Sequence, residues 1–197
     1  MNRILFSKAG RGGLIVVFVI LTGLHGDCQA QTRLVKKKIS KEIAMKIPAN
    51  FIPMSEADMW QRVSSYRKSI ALFTDMQRIM ELGVNHAFST WEEGDLEMLQ
   101  SVYKASILQL FDTVRFSREE IRNTKGRDFA VFEFVSNIKG NPALSYTGSS
   151  GGISKYYYLQ YTLYDKGTLV FTFSCPARIK DEWQPVAREI MNSVTIK

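Results

Sequence analysis

The stretch Arg127 to Ile138 is apolar on both sides of a strand. Phe129, Val131 and Val135 fall on one face, and Phe132 and Phe134 on the other. Such a strand sits inside a sheet that is covered, at least in part, on both faces. Glu133 lies between two of these phenylalanines, where an unpaired carboxylate would be costly. An opposed arginine, Arg118 or Arg122, is the expected remedy. The preceding strand candidate, Val114 to Arg122, leads into Asn123-Thr-Lys-Gly126, whose glycine suits a hairpin turn. A second hairpin follows: Lys155 to Tyr164, the turn Asp165-Lys-Gly167, then Thr168 to Cys175.

Helical periodicity supplies the covering layers. Leu96, Leu99, Tyr103, Ile107, Leu110 and Phe111 form one apolar stripe, which predicts a helix over 94–112. Trp183, Val186, Ala187, Ile190 and Met191 predict another over 181–192, with Pro185 placed in its first turn. A third helix is expected from Ser55, as N-cap, to Tyr66. Strands are expected at 34–39, 42–47, 70–74 and 80–91, and Val194 to Ile196 closes the chain as a short strand or tail. The resulting order is mostly antiparallel hairpins with helices between them. This defines an α+β fold: a three-layer αβα sandwich with a central, mostly antiparallel sheet.

The first thirty residues have a different character. Arg3, Lys8 and Arg11 precede the apolar run Leu14 to Leu21, and the chain then turns polar towards Cys28-Gln-Ala-Gln31. This is the layout of a secretory signal peptide, with cleavage expected after Ala30. The run is short of the roughly 20 apolar residues that a spanning helix needs. The expected organisation is a signal at 1–30 and one domain at 31–197, placed in the periplasm or cell envelope. Lipid attachment at Cys28 is the competing reading, although Asp27 and His25 depart from the usual lipoprotein pattern. Loss of Arg3, Lys8, Arg11 and Asp27 would lower the formal charge from +7 to +5. Cys175 would then be the lone thiol, buried at a strand end and inert.

Several chemistries are excluded by residue supply. A Cys/His zinc site needs about four ligands, and only His86 and Cys175 remain after cleavage. No cofactor is expected. A hydrolase or transferase would have to use His86 with a nearby carboxylate such as Glu92, Glu93 or Asp95. Those acids fit better as the start of a helix. The basic cluster Arg33, Lys36, Lys37, Lys38 and Lys41 reads as a solvated strand edge, with Lys36, Lys37 and Lys38 or a lipidated Cys28 as the routes to membrane contact. Nucleic acid is not expected as a partner. The segment 139–154 is rich in glycine and serine, and reads as a hairpin connection or a binding loop. Tyr156, Tyr158, Gln160, Thr162 and Tyr164 share a strand face that is either packed or a recognition surface. With Tyr146 from the loop, Tyr156, Tyr158 and Tyr164 are the candidate binding residues.

The organisation resembles the PsbP/Mog-type fold, including its DcrB-like bacterial members, from about Lys36 to Ile196. The resemblance rests on Ile47-Pro-Ala-Asn-Phe51 after the opening hairpin and on Leu99-Gln-Ser-Val-Tyr103 in the long helix. It also rests on Phe173-Ser-Cys-Pro-Ala-Arg178 leading to Trp183 and Ile190-Met-Asn-Ser193. It implies the three-layer sandwich but no reaction. Members include a photosystem extrinsic subunit, a nuclear-transport GTPase binder, envelope proteins and secretion-effector chaperones, and no family site carries over residue by residue. The expected function is therefore an exported, non-enzymatic envelope protein that binds an envelope protein or small ligand. A His86-based enzyme and a lipid-anchored structural subunit are the alternatives.

Overall fold

The computed structural model describes residues 32–55, 69–88, 91–92, 94–139, 152–165 and 167–197. The segment expected as a signal, 1–30, with Cys28, the body of the helix expected at 55–66, Glu93, and most of the 139–154 loop with Tyr146 lie outside the described residues.

Two sheets carry the fold. A small one has the order β1–β2–β10, from β1 (Leu34–Lys38), β2 (Ile43–Pro48) and β10 (Thr195–Ile196). The large one has the order β3–β4–β5–β9–β8–β7–β6. Its strands are β3 (Ile52–Pro53), β4 (Ala71–Thr74), β5 (Glu81–Phe88), β6 (Thr113–Thr124), β7 (Arg127–Ile138), β8 (Ile153–Tyr164) and β9 (Gly167–Pro176). Every pairing between described strands is antiparallel. Helix α1 (Leu96–Leu110) covers one face of the large sheet. Helix α2 (Lys180–Asn192) and the small sheet cover the other. The three-layer α+β sandwich is thus observed, with a small sheet sharing the α2 layer.

The double-faced strands produce two cores. On the α2 side, Phe129 and Val131 pack with Leu82, Val84, Phe171 and Phe173 of the sheet. They meet Met45 and Ile47 of β2 and Trp183, Ala187 and Ile190 of α2. On the α1 side, Ala130, Phe132, Phe134 and Tyr161 meet Leu99 and Ile107. The aromatic rings interlock there: Tyr103 stacks on Tyr161 with centroids 4.1 Å apart, and Tyr157 stacks on Phe134 at 5.2 Å.

Two expectations about the helices change. Leu110 is 70 % exposed although it belongs to the predicted stripe. The helix ends there, and Phe111, already extended, takes up the contact with Phe134 and Tyr157. Pro185 lies in the second turn of α2, because the helix begins at Lys180 straight from a 3-10 turn at Ala177–Ile179. Both Pro185 and Asp181, whose carbonyl loses its helical donor to the proline, are exposed, so water can satisfy that oxygen.

The turn between β6 and β7 has left-handed backbone at both Lys125 (φ 54°) and Gly126 (φ 83°), as tight two-residue hairpins require. The Asn123 side chain steadies it by accepting from the Gly126 N–H at 3.1 Å. Lys125 then reaches across to α2. Its ammonium donates to the Ser193 carbonyl at 2.6 Å and the Val194 carbonyl at 3.2 Å. Helix α2 has no basic residue in its own last turn, so this lysine supplies the cation its C-terminal end favours.

Candidate functional site

The tyrosine strand is packed on both faces. Tyr156 and Tyr158 are fully buried, so the reading of these two residues as an exposed recognition surface is corrected. The cause is the position of β8, flanked by β7 and β9 with α2 lying over this face. Their hydroxyls instead join a polar cluster between sheet and helix. At its centre is Glu133, fully buried, which accepts from Arg188 Nε at 3.1 Å and Arg188 Nη2 at 3.0 Å, and from the Gln184 amide. Burial alone would raise the carboxyl pKa. The hydrogen bonds from Arg188 and Gln184, and the Arg188 charge, outweigh it and hold Glu133 below its ordinary value.

The expected arginine partners play smaller parts. Arg118 stands opposite Glu133 across the β6–β7 ladder, with Nε 3.5 Å from the carboxylate, and donates to Glu120 at 3.0 Å. Arg122 instead donates to the Tyr158 hydroxyl at 2.9 Å. The Tyr156 hydroxyl lies beside Glu133 without a well-formed hydrogen bond, and burial followed by the Glu133 charge pushes its pKa up. This cluster fixes a helix on a sheet. It places no nucleophile at an opening.

Tyr164, at the far end of β8, is half-buried. Its hydroxyl bonds Glu42, its ring edge meets His86 at a centroid distance of 6.2 Å, and Arg127 sits over the ring at 5.9 Å. His86 Nε2 is 3.3 Å from the Tyr164 carbonyl. A side chain at Gly167 would meet that nitrogen at 2.5 Å, so a glycine is needed where β9 begins. Histidine, tyrosine and arginine are therefore brought together by three different strands, which the sequence did not indicate. Of the expected carboxylate partners, Asp95 serves elsewhere: it accepts from the Glu92 backbone N–H at 2.9 Å, at the entrance to α1.

A cleft of about 500 Å³ opens beside this end of the sheet. It is lined by Leu96 and Glu97 of α1, Ile121 of β6, and Arg127, Asp128 and Thr162. Asp128 and Thr162 are engaged, Asp128 with the Asn123 amide at 2.7 Å and Thr162 with the Asp128 carbonyl at 2.8 Å. Among the described residues no group of three or more His, Cys, Asp or Glu side chains is placed to hold a metal ion. Cys175 is buried, and burial, with Glu182 adding to it, pushes its thiol up to about 12. A thiolate is then scarce at neutral pH. The basic cluster lies where a solvated edge was expected, on the outer strand β1. Lys36 and Lys38 are exposed, while the Lys37 ammonium turns inward to 4.7 Å from the Phe73 ring.

The surface that the sequence reading missed is the outer side of α1. Met98 is 60 % exposed and Leu108 is 51 % exposed, with Val102 and Ala105 also facing solvent. Ser101, Ser106 and Gln109 fill the gaps, so from Met98 to Gln109 this side carries no charge. The pattern was present as a second apolar recurrence at 98, 102 and 105, but the stronger stripe at 96, 99, 103 and 107 hid it.

No family model matches the chain, and no curated protein sequence matches it. Solved structures do. The chain is similar to the solution structure of cyanobacterial PsbP (CyanoP) from Synechocystis sp. PCC 6803, with TM-score 0.58 and 12 % identity. That match covers 89 % of this chain and 100 % of the other. It is also similar to the Ran-binding protein Mog1p of Saccharomyces cerevisiae, with TM-score 0.52 and 9 % identity over 84 % and 96 % of the two chains. The protein is thus an α+β sandwich with helices on both faces of an antiparallel sheet. More narrowly, it has the PsbP/Mog-type fold.

Proposed function

We propose that this chain is an exported, non-enzymatic envelope protein that acts as a binding or adaptor module. Its partner is another protein, docked on the uncharged outer side of α1. One observation carries this reading: an otherwise well-packed domain leaves Met98, Val102 and Leu108 in solvent on the outer side of one helix. Contiguous exposed apolar surface of this kind marks interaction sites in soluble proteins. The fold supports the reading, since a similar structure is by its name a Ran-binding protein. The export layout of residues 1–30 supports the compartment.

Affinity capture from the cell envelope tests the reading. The native domain is expected to recover a defined partner that a Met98→Glu, Val102→Glu double variant loses while keeping its thermal melting profile. Equal recovery by both baits sinks the assignment to α1. Mass spectrometry of the mature N-terminus tests the compartment. Gln31 as the first residue is expected, and an acylated Cys28 would replace the released protein with an anchored one.

A further inference from the structure

The two edges of the large sheet are finished differently. β3 is a two-residue strand that ends in Pro53, a blunt edge with little to offer another strand. β6 is twelve residues long, holds neither proline nor glycine, and among the described residues pairs only with β7. The N–H and C=O groups that point away from β7 are a template for one more strand.

The side chains along this edge select what can pair there. A bulge at Ser117 breaks the ladder between Phe116 and Arg118. After it, Arg118 to Thr124 run in unbroken register with β7 and read Arg-Glu-Glu-Ile-Arg-Asn-Thr. This stretch complements itself. An antiparallel two-fold pairing centred on Ile121 sets each Glu120 opposite Arg122 of the other copy. It sets Glu119 opposite Asn123, Arg118 opposite Thr124, and Ile121 opposite Ile121. A centre at Glu120 would oppose Glu120 to itself and Arg118 to Arg122. A centre at Arg122 would oppose two arginines, and one at Glu119 would oppose two glutamates and run into the bulge. Opposite charges across a strand pair stabilise and like charges disrupt, so among the four centres from Glu119 to Arg122 the one at Ile121 is selected. Ile121, at its centre, is 39 % exposed within an otherwise polar stretch and stands on the rim of the cleft.

We propose that a second copy of this chain pairs with β6 in this register, joining two large sheets into one continuous sheet through an isologous contact. The surface is distinct from the outer side of α1, so the dimer presents two docking helices. In the separate chain Glu120 is held by Arg118 at 3.0 Å, with Arg122 4.0 Å away. In the dimer the Arg122 of the second copy joins it.

Sedimentation velocity of the full-length chain across a dilution series is the test. The native chain is expected to sediment at twice the chain mass, and Glu120→Arg and Arg122→Glu are each expected to halve it. The decisive arm mixes the two variants in equal amounts. Each pair of positions 120 and 122 across the contact is then again one arginine against one glutamate, and the doubled mass returns. Ile121→Lys, which touches neither the Tyr158 bond nor the Glu120 pair, also halves the mass should R122E fail to fold. A native chain that stays single at every concentration overturns the proposal. So does a doubled mass that persists in folded E120R or I121K, or a mixture of folded single variants that stays single.

Discussion

The two helices cover opposite faces of one sheet, and they are held there by different means. Helix α2 is tied down at several points. Arg188 and Gln184 grip the buried Glu133, Glu189 pairs with Lys46 at 2.9 Å, and the Met191 carbonyl accepts from Gln160 at 3.3 Å. Lys125 caps its end, and the chain beyond it is drawn into the small sheet by β10. Its outward positions Asp181, Glu182, Glu189 and Asn192 are polar. Helix α1 rests on interlocked rings and aliphatic packing, with the Lys104–Glu119 ion pair (2.8 Å) at its rim, and its outward side from Met98 to Gln109 is uncharged, with Met98, Val102 and Leu108 in solvent. Directional bonds allow a helix one placement, while a greasy stripe fixes the face but leaves the remainder of the helix available. The α2 layer is closed by its own bonds, and the α1 layer keeps an apolar side in solvent.

The strongest way to break this comparison is to empty one site in each layer. Trp183 stacks on Phe173 with centroids 5.8 Å apart and packs beside Phe51 at 5.9 Å, bridging α2, β9 and the loop after β2. Trp183→Ala is expected to cost about 4 kcal/mol. Leu99→Ala, its counterpart under α1, is expected to cost about 3 kcal/mol. Urea midpoints for the two variants measure both. A larger loss at Leu99 would mean that α2 is not the better-anchored layer.

Glu133 sharpens the polar half of the comparison. Glu133→Gln keeps the shape but loses the charge-assisted bonds to Arg188, and is expected to cost about 2 kcal/mol near neutral pH. The pH dependence follows from the lowered carboxyl pKa. In the acid range the unfolded chain binds the proton more readily than the fold does. The stabilisation is therefore complete above the unfolded value of about 4.3 and is lost as pH falls through the lower folded value. The native chain should lose stability in that window, and E133Q should lose less. Parallel acid titrations that coincide for the two proteins would remove Glu133 from its anchoring role.

Local pattern made much of this fold legible, and distance in sequence concealed the rest. Phe129 to Val135 announced a strand covered on two sides, because alternation is a property of neighbouring residues. The α2 stripe from Trp183 to Met191 was legible for the same reason. The anchor of Glu133 was not: hairpin geometry pointed to Arg118 and Arg122, whereas the bidentate partner Arg188 lies 55 residues further on. No spacing rule reports a helix that docks from elsewhere. The bulge at Ser117 was equally hidden, although it moves Arg118 and Arg122 to the α2 face and leaves Glu119 and Ile121 on the α1 face. The tyrosines were correctly sorted into two faces, but sequence could not say that α2 would cover one of them. Tyr164 alone among the described candidate tyrosines keeps an open side.

Smaller effects separate the helix ends. Lys125→Ala removes the cation from the end of α2 and three polar contacts with Ser193, Val194 and Thr195. It is expected to cost about 1 kcal/mol. Hydrogen exchange should show the loss as faster opening of the last turn of α2 and of β10. Uniform acceleration across the domain would instead make the turn a global rather than a local restraint.

The smallest effect on stability is expected on the outer side of α1, where the functional claim is greatest. Val102 is 45 % exposed, so Val102→Glu removes little packing and adds a charge to an exposed helix face. Surface changes of this kind stay within about 0.5 kcal/mol. The melting curve should therefore hardly move, while capture of the partner is lost through burial of an unpaired carboxylate in the interface. The converse result, a large loss of stability at Val102, would place this side of α1 inside the fold. The contrast between a finished α2 layer and an open α1 layer would then disappear. Stability and binding must diverge at Val102 and stay together at Trp183, and that divergence is what an open docking helix requires.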